Sequence, residues 1–552
     1  MNKLTSAFLA VFLLVVGQTI LAQSTPVGLP GMDDYLRRQQ LLGDTTRPAS
    51  LMIRPSLSTT DSLKGFELKM MPLVWKQQYT TDHPLSLNNG AMIPARGYQT
   101  LVSGGFFARL GILSVQLMPE FVYAENKDFD GFPDAHPFVI WRTYNMLKGV
   151  IDLPDKFGND PYKRAFWGQS SVRLSYKAVS LGLSNENLWW GPGQKNALMM
   201  TNNAPGFKHV TFNSTKPVKT PIGSFEWQLV GGRLDASGFH GVDSLILATK
   251  TLKPTVKPNG WRYLNAITVN YQPRWLNGLS LGGARAYTMY SELMNKEKIK
   301  SWLPVFESFT KDKAGEASDD NTAVDQILSV WMRWLMPKDH AEVYIEYGRG
   351  DHNWHLNDFL LEPDHFRSYI LGYRKLVPLK KSNGDYLDIH LELTQLSRNV
   401  PTYLRSHSGL VGWYNHGAVR HGYTHQGQIL GAGIGTSSNM QLLNIAWVRD
   451  KKRIGLEFYR LIHDDDFWNA MRRVGYFDHR THWVDISGAL VADWNYKNFL
   501  VNFKFQTVGA LNYMFYYDPV PTEPPYLWDV GKTRYNINIE LSLVYQFNKL
   551  ND

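Results

Sequence analysis

The stretch NENLWWGPGQKNALMMTNNAPGF, residues 185–207, sets Trp189 and Trp190 beside Gly191, Pro192 and Gly193, with Asn202 and Asn203 close behind. Sugar rings present apolar C–H faces that stack on aromatic planes, while their hydroxyls seek amide or carboxylate partners. Trp189, Trp190, Asn202 and Asn203 offer both kinds of contact, and tryptophan joins an apolar body to a polar N–H. Gly-Pro-Gly imposes a turn under any reading. The structural alternative is that the two indoles wedge into the interior or join an interfacial aromatic girdle.

Three further clusters carry chemistry of the same kind. GRGDHNWHLNDF (348–359) gathers Arg349, Asp351, His352, Trp354, His355 and Asp358. Arg349 suits the two-pronged pairing that guanidinium makes with a sugar carboxylate. His352 and His355 lack the glutamate of the HExxH zinc pattern, so a hydrogen-bond network is favoured over a metal. The run 416–425 holds His416, Arg420, His421, Tyr423 and His425, with Trp413 and Tyr414 just before it. It suits an anionic glycan or a solvated loop packed on its neighbours. NKDFDGFPDAHP (126–137) matches the first half of a calcium loop at Asn126, Asp128, Asp130 and Gly131, and Asp134 adds an oxygen. Position twelve is Pro137 instead of a bidentate Glu. Calcium is therefore a weak candidate there, no other metal site is expected and no cofactor is implied. His463 and Asp464–Asp466 read as an exposed acidic cluster.

Catalysis finds no footing. There is no G-x-S-x-G elbow to raise a serine nucleophile, and phosphate-loop and dinucleotide motifs are absent. The expectation is a non-enzyme.

The elements that must position these clusters are strands. In NINIELSLVYQF (536–547), Ile537, Ile539, Leu541, Leu543, Tyr545 and Phe547 share one face; Asn536, Asn538, Glu540, Ser542 and Gln546 share the other, with Val544 the exception. A period of two is a strand with one apolar and one polar face. Leu387–Leu393, Phe499–Phe505 and Val343–Tyr347 repeat the pattern, with carboxylates, Lys and amides on the second face. About eighteen such strands are expected, the first over 64–79 and the last over 534–547. Short connections (272–278, 337–340, 449–453, 495–498) alternate with long ones (about 127–165, 235–260, 291–325, 398–437 and 510–533). Short turns at one end and long loops at the other are the pattern of outer-membrane barrels, which close so that no backbone group faces lipid unpaired.

The rest of the chain agrees. The 552 residues contain 13% aromatics and no Cys, which excludes disulfides and thiolate metal sites. Hydrophobic residues reach 43% while mean hydropathy is −0.30, so apolar residues are interleaved with polar ones. The net charge of +9 suits acidic partners or dispersed surface charge. Residues 1–22, with a charged start and the apolar AFLAVFLLVV, read as a signal peptide. Residues 23–63 are expected to form a periplasmic segment with one short helix over 33–42, near or under the barrel mouth, and residues 64–552 the barrel.

Several stretches resemble the Wzi-type capsule-assembly family of Gram-negative outer membranes: SLMIRP (50–55), HPLSLNNGAMIPARGYQT (83–100), NENLWWGPG (185–193), TNNAPGF (201–207), TPIGSFEWQL (220–229), AEVYIEYGRGDHNWHLNDFLLEPDH (341–365) and GYTHQGQILGAGIG (422–435). The resemblance implies an eighteen-stranded barrel with a blocked lumen, acting as a lectin that attaches or organises capsular polysaccharide without turnover. Members from enteric bacteria carry a larger periplasmic helical bundle than the single helix expected here. The expected function is a surface lectin-like barrel whose partners are capsular or other surface polysaccharide, outer-membrane lipid and lipopolysaccharide, with no nucleic acid. The loops are expected outside the cell and the termini in the periplasm. Two alternatives remain: a porin-like sugar channel, and an accessory barrel working with outer-membrane assembly or export proteins.

Overall fold

A computed structural model of the chain describes residues 25–44, 49–57, 66–306, 324–350, 360–361, 366–379, 384–398, 412–516 and 533–547. Antiparallel strands run side by side from Phe66–Met70 onward, and the last, Thr533–Tyr545, pairs with Leu73–Thr80 to close a barrel. Several early strands are interrupted: Gly97–Ser103 pairs with Leu73–Thr80 and Glu120–Ala124, and Phe106–Leu110, just after it, with Phe66–Met70 and Leu113–Leu117. Such pieces lie end to end in the closed antiparallel sheet of the described residues. No described helix is long and apolar enough to cross a membrane, so any crossing is made by strands.

The period of two sorts the side chains. Leu391, Leu393, Ile454, Leu456, Phe458, Ile537 and Ile539 point outward and are exposed, while Asp388, His390, Glu392 and Thr394 face the lumen and are buried. Trp75, Trp334, Trp494, Tyr496 and Phe499 stand exposed toward the short turns, the aromatic girdle of a membrane interface. Val544, the exception in the final strand, is fully buried. It packs with Leu29, Met71, Val74, Phe107, Met118 and Leu500, so it faces inward because an apolar patch of the lumen receives it.

Two sets of elements close the ends. At the short-turn mouth lies the helix Met32–Leu41, close to the expected 33–42 but capped by Gly31 in a left-handed conformation, with Asp33 and Asp34 in its first turn. Carboxylates there favour the helix dipole. The Arg38 guanidinium donates to the Asp450 carbonyl at 2.5 Å, and His340 Nδ1 meets the Leu41 carbonyl at 3.1 Å. Asp34 pairs with Arg374 at 2.6 Å; against the cost of burial, Arg374, Arg38 and Arg453 hold its carboxyl well below the usual carboxylate range. The following residues do not stay under the mouth. Met52 joins the central core, and Ile53–Arg54 pairs with Trp189–Trp190 inside the barrel. At the long-loop end, the helices Phe138–Lys148, Ser244–Thr249 and Asp465–Arg473 pack through Trp141, Tyr144, Leu247, Phe467 and Trp468.

Candidate functional site

The segment 185–207 is not an external loop. It turns into the lumen after the strand Val179–Ser184 and forms the centre of the core with Met52, Leu264, Trp331, Ile370, Trp413 and Met440. Trp190 is completely buried and its indole N–H donates to Gln228 Oε1 at 2.9 Å; Trp189 donates to the Gly193 carbonyl at 3.1 Å, with the Arg54 guanidinium 4.7 Å from its ring centre. Asn202 donates to the Asn88 carbonyl and Asn203 to the Ile429 carbonyl, each at 3.0 Å. The indoles therefore occupy the interior position of the structural alternative. Gly191 is needed there: its φ is +113°, and a Cβ would stand 2.8 Å from Glu346 Oε2.

The polar faces of the strands anchor this plug. Glu392 accepts the successive backbone N–H groups of Gln194, Lys195 and Asn196, at 2.7, 3.2 and 2.8 Å, and the Tyr344 hydroxyl at 2.7 Å. Glu342 accepts from Arg37, Arg333 and the Gln194 side chain. Glu226 takes the Ser50 N–H and Glu346 the Leu198 N–H. An inserted irregular chain needs a partner for every buried amide, and wall carboxylates supply them. Beside the plug remains a polar cavity of about 260 Å³ lined by Lys76, Lys195, Arg453, Glu457 and Lys504, whose charges are largely engaged: Lys195 and Lys504 both pair with Glu457, and Arg453 with Asp493.

The other expected residues scatter. Tyr423 is buried in the core, stacked 6.0 Å from Tyr414. Arg349 is buried at the end of the strand Ala341–Gly350. Asp351, His352, Trp354, His355 and Asp358 lie outside the described residues. The calcium candidate is corrected. Asn126 turns its amide N–H groups toward the Phe157 and Gly158 carbonyls, whereas Asp128 pairs with Lys156, Asp130 with Arg534 and Asp134 with Lys250. The carboxylates point at three separate cations, and no metal-holding cluster forms among the described residues. The acidic group after His463 is also corrected: Asp466 is buried, and the Asp464 side chain caps the helix Asp465–Arg473. Burial and the neighbouring Asp466 push the Asp464 carboxyl up to about 7, and burial raises that of Asp466 to about 6.

Among the described residues, His421 is the one of the expected set that lines a cleft at the long-loop end. The cleft, about 280 Å³ and open to solvent, lies between the C-terminal end of the helix Phe138–Lys148, the segment 236–242 and the arm 254–260. His421 meets the Tyr290 hydroxyl through Nδ1 at 2.9 Å; burial and Arg262 draw it down to about 4, so it is neutral at pH 7. Lys148 is engaged by Asp155 at 2.6 Å. Both Asp152 oxygens are taken by Ser237, through its N–H at 2.6 Å and its hydroxyl at 2.7 Å. Lys257, which the sequence reading did not single out, lines the cleft half-buried and forms no hydrogen bond or ion pair with the described residues. Burial brings its ammonium down to about 8, against the pull of Asp152. The signal available in sequence was Pro254 and Pro258 bracketing this lysine.

Against known proteins, the family model for capsule assembly protein Wzi matches residues 77–475. Among solved structures the chain is similar to Wzi from Escherichia coli, an outer-membrane protein involved in group 1 capsule assembly and described as a carbohydrate-binding β-barrel. The TM-score is 0.57 at 10% identity, covering 95% of this chain and 100% of that one. OccK7 of Pseudomonas aeruginosa gives a TM-score of 0.38 at 9% identity, covering 88% of this chain and 100% of that one. OprD of the same organism gives 0.39 at 9% identity, covering 89% and 97%. No curated protein matches the chain in sequence. The family match spans well over half the chain, which is a β-barrel belonging to the Wzi family of capsule assembly proteins.

Proposed function

We propose that this barrel is a non-catalytic, non-conducting protein that holds capsular or related surface polysaccharide at the outer face of the outer membrane. The long-loop end is external and the helix Met32–Leu41 is periplasmic. The observation that supports this reading most is the occupied lumen. Residues 185–207 and the N-terminal segment around Met52 fill the centre, and helices lie across both ends. A channel barrel of this size would leave water along its axis. A filled one acts as a platform whose exposed end carries many weak sugar contacts, which repeating units add together by avidity. The relative's carbohydrate binding supports the same reading.

Two measurements on the purified protein test it. Planar bilayers are expected to show no steady conductance, and surface polysaccharide is expected to be retained on immobilised protein. A steady open channel blocked by oligosaccharide would instead favour the transport reading, and failure of the immobilised protein to retain surface polysaccharide would count against a holding role.

A further inference from the structure

We propose that the external cleft beside Lys257 seats a carboxylate-bearing sugar unit, with the Lys257 ammonium as its counter-ion. The inference rests on the polysaccharide-holding reading and names the chemical class of sugar held.

The recess of the cleft has about 280 Å³, just under the roughly 300–1,000 Å³ of common small-molecule sites, which suits a single sugar unit. Its polar groups differ in whether they are occupied. Lys148 is bound to Asp155 and to the Leu153 carbonyl, and Asp152 is bound at both oxygens by Ser237. Arg262, fully buried behind the cleft, donates to the carbonyls of Gly422 and Asp235. Arg420 donates to the Val256 carbonyl and so ties down the arm that carries Lys257. Lys257 alone among these cations has no partner in the described residues. A half-buried ammonium with no carboxylate in direct contact, only the more distant pull of Asp152, carries a desolvation cost, which a bound anion lessens.

The anion that fits carries a single charge and an apolar face. One free ammonium matches one carboxylate. A phosphate dianion would call for further donors, and the guanidinium groups nearby are already committed to carbonyls. Phe239 and Val256 supply apolar surface for the C–H face of a pyranose, and Asn259 and His240 stand exposed at the rim for its hydroxyls. A uronate residue of an acidic polysaccharide presents that combination.

The test uses the mature protein in detergent, immobilised and exposed to polygalacturonate, hyaluronan and alginate, to the carboxyl-reduced form of each, and to dextran sulfate. At least one uronate polymer is expected to bind, with its carboxyl-reduced form and dextran sulfate each about tenfold weaker or more. Lys257→Met is expected to lower uronate affinity by a similar factor at an unchanged unfolding temperature, and Lys257→Arg to keep most of it. Equal binding by Lys257→Met, by the reduced polymers or by dextran sulfate overturns the inference. Binding of neutral polymers alone overturns it while leaving the polysaccharide-holding reading intact. Binding of none of the polymers overturns both.

Discussion

The luminal segment 185–207 and the arm 254–260 at the long-loop end are opposites in what they advertise and how they are used. The first carries two tryptophans and a set of amides, the composition of a sugar platform. Yet both its indole N–H groups and its asparagine side chains are engaged inside the protein. The second is a plain loop with one lysine between prolines, and that lysine has no partner among the described residues. A residue type that suits a ligand is weak evidence while the protein itself can take up the same contacts. An unsatisfied group at an accessible cleft is stronger evidence, because the protein has left the contact open.

The largest effect that bears on this contrast should come from the plug. Trp190→Ala empties the centre of the core and strips Gln228 of its donor. Truncating a buried tryptophan costs about 3–5 kcal/mol, so the variant should lose much of its resistance to denaturant-induced unfolding in detergent, read by tryptophan fluorescence and heat-modifiable gel mobility. Unchanged stability with lost glycan binding would reverse the assignment and return the indoles to the binding site.

A smaller effect is expected at the anchors. Glu392→Ala removes the acceptor of three consecutive backbone N–H groups of residues 194–196; water entering the space left by the side chain takes up most of them, so the net loss is expected near the cost of one unsatisfied buried donor, about 1–3 kcal/mol. Glu392→Gln keeps an acceptor oxygen and should recover a good part of the loss. If the two variants unfold at the same denaturant concentration, the carboxylate is not what holds the plug.

These anchors also mark where the sequence could be read and where it could not. The alternation in 386–395 made Glu392 visibly a residue of the polar face, and the closed antiparallel barrel follows from many such runs. Nothing local says whether that face meets water or a folded-in loop, because Glu392 and its partners lie almost two hundred residues apart. Gly-Pro-Gly turns equally well into the lumen or out of it. The cleft at the long-loop end was harder still, being assembled from residues near 148, 240, 257 and 421 that share no motif. Asp466 was misplaced for a similar reason: three consecutive aspartates read as solvated, whereas the helix they begin is drawn under the cap by Phe467, Trp468 and Met471.

That cap gives a pH effect of intermediate size. Asp464 and Asp466 have carboxyls raised by burial to about 7 and about 6 in the folded protein, above the ordinary unfolded value of about 3.9. The folded state therefore binds the extra protons. Their contribution to stability is full below about pH 4 and is lost as pH rises through about 6 to 7. Amide exchange of residues 465–473, corrected for intrinsic rates, should be better protected at pH 5.5 than at pH 8, and Asp466→Asn should flatten the dependence. Protection that grows with pH would contradict the buried-carboxylate picture.

The smallest effect on stability, and the sharpest on the contrast, belongs to Lys257. With no protein partner to lose, Lys257→Met should change unfolding by no more than about 0.5 kcal/mol, the range of ordinary surface substitutions. Its binding effect should depend on pH in a direction that can be fixed beforehand. Around Lys257 stand Lys148 from the helix Phe138–Lys148, Asp152 from the turn after it, His240 from the segment 236–242, Arg262 from the strand behind and His421 from the inner wall. His421, at about 4, stays neutral from pH 7 to pH 9, and a uronate carboxyl stays ionised throughout. Lys257, at about 8, loses its charge across that interval. Uronate affinity should then fall by roughly tenfold between pH 7 and pH 9, following the protonated fraction of one group. The same titration on Lys257→Met separates this lysine from every other group around the cleft. A fall that persists in the variant belongs to another residue, and a flat profile in the parent protein removes the ammonium from the site.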